Sequence, residues 1–180
     1  TYEENFNTIA EEANDPDLPC DMPKQVPFYY GSHYSNPIYV VHYLTRLFPY
    51  SHISIELQGD KFDKADRLFL NVGTSFNCSS SSKGDVRELI AEFFYLPEMF
   101  NNINHLNLGT TQDETNVDNV VCPNWSGNDP YKFIYNLRKH LESEEVAQKI
   151  SSGLDLIVGY KQKGTEAVNA KYVYYADSYE

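Results

Sequence analysis

The sequence predicts a mainly α-helical fold, with helices set around long irregular segments. Three observations lead there. Apolar residues recur at three- and four-residue spacing between helix start and stop signals at residues 36–49, 85–97, 129–141 and 143–159. No strand–helix alternation marks a parallel sheet, and no repeat of useful period occurs. Residues 101–128 are polar, rich in Asn, Thr and Gly, and too long for an ordinary connection. Tyrosine is also unusually common, with 15 residues. Each ring is apolar and each hydroxyl needs a partner, which suits a core of irregular backbone pinned by side chains.

Residues 1–21 hold seven acidic residues and no Lys or Arg, with breaks at Asn14-Asp-Pro16 and Leu18-Pro19. They predict an acidic, partly disordered lead-in over 1–25, with the domain itself over 26–180. Pro23 and Pro27 impose an extended entry. Asn36-Pro37 starts a helix that carries Tyr39, Val40, Tyr43, Leu44 and Leu47 on one face and stops at Pro49. Ile53, Ile55 and Leu57 alternate with Ser54 and Glu56, which predicts a short extended segment closed by Gly59. Asp63 caps a predicted helix through Leu68, Phe69 and Val72.

Ser79–Ser82 followed by Lys83-Gly84 reads as a flexible loop. Asp85-Val-Arg-Glu88 is a capping-box-like start for a stripe of Val86, Leu89, Ile90, Phe93 and Phe94, ended or kinked by Pro97. Val120, Val121 and Trp125 are the expected apolar anchors of the irregular segment. Trp125 and the run Phe93-Phe-Tyr95 are expected in the core rather than at an interface, because large rings are buried first. Asp129-Pro130 opens a helix lined by Phe133, Ile134, Leu137 and Leu141. Ser143 caps the next, with Val146, Ile150, Leu154 and Ile157 on its inner face and Gly159 as its stop. Thr165 begins a last short helix.

Charge narrows the partners. Fourteen basic residues stand against 26 acidic ones, for a formal net charge of −12. That field opposes phosphate backbones, so nucleic acid is not an expected partner. Three cysteines, Cys20, Cys78 and Cys122, form neither a disulfide framework nor a zinc pattern, and read as free thiols of a reducing compartment. The glycosylation triplets at Asn77 and Asn124 are discounted on that ground. No stretch reaches the ~18 apolar residues of a membrane span, and no leader is visible.

Chemistry-bearing patterns are few. Ser32 and His33 sit in Phe28-Tyr-Tyr-Gly-Ser-His-Tyr-Ser-Asn-Pro37. Adjacent residues of an extended chain point to opposite faces, so His33 is badly placed to activate Ser32, and no nucleophile elbow is formed. The reading from the residues is structural: Gly31 allows a turn while Ser32, His33 and Asn36 satisfy buried backbone groups. The five histidines lack metal-ligand spacing. Asp60, Asp63 and Asp66 lack the Gly and Glu of an EF-hand loop. No phosphate loop occurs, and no metal or cofactor is expected. Arg138-Lys-His140 suits a helix end. Lys161 and Lys163 form a small basic spot open to an anionic lipid or an acidic partner.

An ordered series of motifs resembles the BEACH domain, named from the beige and Chediak-Higashi proteins. It runs Tyr30-Gly-Ser-His-Tyr-Ser-Asn-Pro37, Leu57-Gln-Gly59, Lys61-Phe-Asp63, Asp66-Arg-Leu-Phe69, Asp85-Val-Arg-Glu-Leu-Ile90, Glu92-Phe-Phe-Tyr-Leu-Pro-Glu98 and Asn107-Leu-Gly109. Val120-Val-Cys-Pro-Asn-Trp125, Leu141-Glu-Ser143 and Asp155-Leu-Ile-Val-Gly-Tyr-Lys-Gln-Lys-Gly164 complete it. Ile38 stands where the family usually has Gly, and the serine tract and acidic segment 111–119 look specific to this lineage. The resemblance covers about residues 26–180 and only the middle and later part of such a domain, so a partial BEACH domain is expected.

The resemblance implies helices around a core of extended segments with little regular secondary structure. It implies a non-enzymatic scaffold within a large cytosolic protein of vesicle traffic, lysosome-related organelles and autophagy. A pleckstrin-homology-like domain precedes and packs against such a domain, and a WD-repeat propeller usually follows. Other trafficking proteins are further expected partners. Cytoplasmic location is expected, with peripheral association on endosomal, lysosomal or vesicle membranes left open. Tyr30, Ser32, His33, Tyr34, Asn36, Trp125, Lys161 and Lys163 are the candidate partner-binding or core-scaffold residues. Two other classes remain as alternatives: a serine hydrolase using Ser32, His33 and an acid such as Asp155, and an anionic-lipid module using Lys161 and Lys163.

Overall fold

A computed structural model describes residues 2–16, 26–30, 36–59, 61–62, 64–81 and 89–176. Among them it forms seven α-helices and five 3₁₀ turns, with isolated bridges in place of a sheet. The fold is mainly α, as the spacing predicts. The chain divides into two compact units, residues 1–36, 78–88 and 143–180, and residues 37–77 and 89–142.

The second unit holds the larger core. Helix α2 (Pro37–Tyr43) starts where Asn36-Pro37 predicts and buries Val41 and Tyr43. Helix α3 (Tyr50–Leu57) occupies the segment expected to be extended. Its alternation is misleading because Ile53 and Leu57 are exposed while Ser51 and Ser54 are buried. A three-residue alternation does not outweigh the i to i−4 ladder that begins at Leu47 and Pro49, whose carbonyls accept from Ser51 and Ile53.

Residues 64–72 also depart from expectation. A 3₁₀ turn (Ala65–Arg67) leads into extended chain, and helix α4 (Val72–Ser81) starts only where a helix was expected to end. The predicted cap Asp63 lies outside the described residues. Cross-chain bonds win here: Leu70 O accepts from Val121 N at 2.9 Å and Val121 O accepts from Val72 N at 3.0 Å. Helix α4 runs through Ser79–Ser81, part of the predicted loop, and Asn71 Oδ1 accepts from Thr74 N at its start. Lys83, Gly84 and the capping box at 85–88 lie outside the described residues.

The aromatic stripe after them is two short 3₁₀ turns (Ala91–Phe94 and Pro97–Phe100) rather than one helix. Ile90, Phe93, Met99 and Phe100 are buried, Phe94 is half-buried and Leu89 is exposed. Residues 101–123 are irregular, as predicted. Helix α5 (Pro130–Leu141) has Asp129 as its cap, whose carboxylate accepts from Tyr131 N at 2.9 Å and Lys132 N at 3.3 Å. Phe133 and Ile134 enter the core and Leu141 does not. Rings interlock edge to face through this core, Tyr43 on Phe69 and Phe93, Phe93 on Phe100, and Phe100 on Phe133, with centroids 4.9–5.6 Å apart. A satellite core of Ala65, Leu68, Leu108 and Val117 lies under Asn107-Leu-Gly109. Gly109, at φ +84, turns the chain there, its missing Cβ facing Ala65 Cβ at 3.5 Å.

Irregular backbone needs partners that regular structure would otherwise supply. Arg46, fully buried, supplies two: Nη1 donates to Phe69 O at 2.7 Å and Nε to Asp118 O at 2.8 Å. Its own carbonyl accepts from Asn104 Nδ2 at 3.0 Å. Buried Asn102 does the same for the next loop. Its amide donates to Leu106 O and Asp118 Oδ1, both at 2.9 Å, and its Oδ1 accepts from Leu106 N at 2.9 Å. Asn128 Oδ1 accepts from Cys122 N at 2.7 Å. Burial lowers the Arg46 guanidinium to about 10 against the pull of Asp118, so it stays cationic at neutral pH.

In the first unit, helix α1 (Tyr2–Ala13) stands where a solvated lead-in was expected. Phe6 stacks on Tyr29 at 4.2 Å and Ile9 is buried, which gives this acidic helix an apolar side. Tyr30 bridges Tyr174 in parallel, with Tyr29 N and Tyr30 N donating to Val173 O and Tyr175 N donating to Tyr30 O. Helix α6 (Glu144–Ile157), capped by Ser143 Oγ, is followed by a 3₁₀ turn (Tyr160–Gln162) and helix α7 (Gly164–Asn169). Gly159 is required by close approach: a Cβ there would sit 2.6 Å from Asp155 Cα.

Replacing Arg46 by Met keeps apolar volume and orphans the buried Phe69 carbonyl and the part-buried Asp118 carbonyl. It should cost about 2–4 kcal/mol, read as a lowered urea midpoint. Arg46→Lys should restore little of it, because one ammonium cannot reproduce the fork. Cys122 is buried, and its thiol is pushed up to about 11 by burial and then by Asp129. The folded state therefore favours the thiol, and stability should decline as pH rises above the unfolded value near 9. Mass spectrometry after iodoacetamide at pH 8 should find Cys122 unmodified until denaturant is added.

Candidate functional site

The first unit exposes an apolar helix face. On α6, Ile150, Leu154 and Ile157 recur at helical spacing and are 59%, 52% and 44% exposed, and Val158, just past the helix end, is 73% exposed. No residue of this helix is buried. The spacing placed Val146, Ile150, Leu154 and Ile157 on an inner face; the stripe exists but faces out, and only Val146 is half-buried. A contiguous apolar face rimmed by charge is the surface character of a protein contact. Its rim carries Glu144, Glu145 and Lys149, the last paired with Glu145 at 3.3 Å.

Just beyond α6, Lys161 Nζ lies 3.7 Å from Asp155 Oδ2 and 5.3 Å from the centre of the Tyr160 ring. Tyr160, then Asp155, raises the ammonium above its ordinary value. This cation is engaged within the chain, and Asp155, the acid of the hydrolase alternative, is engaged with it. Lys163 is exposed immediately before α7. Lys161 thus lies in the 3₁₀ turn and Lys163 just after it, in different settings.

Tyr30 is half-buried in the first unit, with its ring 5.2 Å from Tyr174 and 6.1 Å from Tyr172. It clasps the aromatic run 172–175. Asn36 is half-buried directly before α2. Ser32, His33 and Tyr34 lie outside the described residues, so the Ser-His pair has no described geometry. In the second unit Trp125 is 54% exposed, its ring 5.4 Å from Phe133. It caps the ring stack from outside instead of joining it, because the turn Asn124–Ser126 is held by Ser126, whose Oγ donates to Pro123 O at 2.7 Å. Tyr95, at 56%, is exposed as well, its hydroxyl donating to Glu92 Oε1. Val121 is exposed too, since alternate residues of the bridged chain face out.

Sequence reasoning missed Arg46 and Asn102. A visible signal existed for Arg46: one cation inside the run Tyr43-Leu-Thr-Arg-Leu-Phe48. Asn102 is one of many asparagines and carries no such mark. Asp66, one of the three aspartates that fit no EF-hand loop, accepts from Gln112 N at 3.2 Å and holds the 111–115 turn. Among the described residues no group of three or more His, Cys, Asp and Glu is placed to hold a metal, and no helix is long and apolar enough to cross a membrane.

The chain matches the family model described as Beige/BEACH domain over residues 2–180, a span that begins inside the segment expected to be a lead-in. It is 42% identical over 179 residues to BEACH domain-containing protein B of Arabidopsis thaliana, covering 99% of this chain and 6% of that protein. It is 44% identical over 157 residues to a putative neurobeachin homolog of Caenorhabditis elegans, covering 87% of this chain and 6% of that protein. The lysosomal-trafficking regulator of Homo sapiens is 42% identical over 178 residues, 98% of this chain and 4% of that protein. The chain therefore spans well under a tenth of the length of these curated relatives.

If the α6 stripe is free of internal packing, Leu154→Ser should change stability by less than about 0.5 kcal/mol. A buried leucine cut down to the same size would cost about 2–5 kcal/mol. Urea midpoints of the two forms decide between these values.

Proposed function

Because the chain belongs to the Beige/BEACH domain family, we propose that it is a non-enzymatic scaffold module of a large trafficking protein. Its task is to hold a neighbouring domain, a pleckstrin-homology-like one, in fixed orientation. The observation that carries this reading is the outward apolar stripe of α6, with Ile150 and Leu154 more than half exposed. Burying those side chains against a partner is favourable by about 25 cal/mol per Å², while leaving them in water gives the isolated chain nothing.

Three related expectations belong to the same reading. Tyr30, Ser32, His33, Tyr34 and Asn36 act as scaffolding or as part of the wall toward the neighbour, and Trp125 is a second exposed anchor. A WD-repeat propeller and other trafficking proteins are further partners of the whole protein, in vesicle, lysosomal or autophagic transport. The whole works in the cytoplasm, peripheral to endosomal, lysosomal or vesicle membranes. Lys161 and Lys163 contribute through an acidic partner, with Lys163 the more available of the two.

The test is calorimetric titration of this chain with the preceding pleckstrin-homology-like domain supplied as a separate polypeptide. Saturable binding is expected, and Ile150→Glu with Leu154→Glu should weaken it by roughly thirtyfold or more, the scale of a central hot spot. Ser32→Ala should leave it within about twofold. Unchanged affinity in the double variant would overturn the α6 assignment. Covalent capture of Ser32 by a fluorophosphonate probe would overturn the non-enzymatic reading.

A further inference from the structure

A second surface, on helix α5, differs in chemistry. Phe133 and Ile134 turn inward, and the other side of the helix presents Tyr131 and Tyr135, 61% and 65% exposed. One and two turns on, the same side presents Arg138 and Lys139. These residues line an open groove of about 430 Å³ with Ile134 as its floor and Glu142 at its far end. Neither Arg138 nor Lys139 makes an ion pair among the described residues, although Glu142 follows within a helical turn. Among the described residues, then, two cations without an ion pair stand beside two exposed phenol rings.

We propose that this groove binds an extended acidic peptide segment of another protein. Exposed tyrosines offer rigid, amphipathic faces for apolar or proline side chains, and unpaired cations offer the complementary charge for carboxylates. The spacing sets the ligand's pattern. Tyr131 and Arg138 are about 10 Å apart along the axis, from a rise of about 1.5 Å per helical residue. An extended peptide advances about 3.3 Å per residue, so its carboxylate falls about three residues from its apolar anchor. Glu142 repels acid beyond that point and limits the acidic run to the stretch over Arg138 and Lys139.

A narrow groove on one helix fits such a segment better than a folded partner, whose standard contact takes about 800 Å² on each side. A bilayer is disfavoured because its broad anionic face would also meet the rest of a surface of net charge −12, whereas a short segment is confined to the two cations. The site is independent of the α6 stripe and stands if that docking reading fails.

The test is fluorescence anisotropy of the full chain with a labelled short peptide carrying Leu-Pro and, three residues later, Asp-Glu. Saturable binding is expected, weakening as salt is raised. Arg138→Glu with Lys139→Glu should reduce affinity at least about tenfold, and Tyr135→Ala by several-fold. Leu154→Glu should leave it unchanged. All four side chains are exposed, and circular dichroism confirms that each variant is folded. Equal binding of a control peptide with Lys-Lys in place of Asp-Glu would overturn the proposal, as would no binding at all. Salt-sensitive flotation with phosphatidylserine vesicles, lost in the double charge variant, would also overturn it by assigning the cations to a membrane.

Discussion

The structure turns on one buried cation. Arg46 has no solvent contact, yet its guanidinium reaches the carbonyls of Phe69 and Asp118 and its own carbonyl is held by Asn104. Those groups belong to chain segments far apart in sequence that form no regular sheet. A helix satisfies its own backbone, and a sheet satisfies its neighbour's, whereas coil does neither. A core that is largely coil therefore depends on side chains with many donors, and arginine has five in a fixed fork. The cost is desolvation of a charge, visible in the lowered guanidinium value. Asn102 extends the same logic without charge.

This construction explains a core that combines interlocked phenyl rings with buried amides. The rings supply the apolar burial and fix distances, while Arg46, Asn102 and Asn128 fix the path of the chain between them. Such a core is rigid, because moving any loop breaks bonds to several others at once. Rigidity of this kind keeps the surface of the second unit in shape. The α6 stripe of the first unit is apolar, whereas the α5 groove of the second is aromatic and cationic.

Much of this was legible beforehand. Helices α5 and α6 begin at their predicted caps, since Asp129 and Ser143 act locally and the following apolar spacing agrees with them. The irregular segment 101–123 was legible from composition. Helix α3 was not, because Ile53, Ile55 and Leu57 alternate too briefly to outweigh the backbone ladder. Nor was the late start of α4, since bonds to Val121 hold residues 70–72 and nothing local announces them. Family membership was readable from ordered motifs, although the match begins at residue 2, earlier than the acidic composition of that stretch suggested.

Of the candidate sites, Tyr30 meets the run at 172–175 as a bridge and a ring cluster, a pairing across the chain that no local pattern announced. Which way the α6 stripe faces was not legible. Periodicity shows that one side of a helix is apolar, and it contains no information about whether this chain or another covers that side. By itself the sequence determined the helical class, the caps of α5 and α6 and the family, because these rest on contacts within a few residues or on ordered motifs. Only the tertiary structure decided that Arg46 lies inside, that Trp125 lies outside and that α6 turns its leucine to water, because each outcome depends on segments brought together from across the chain.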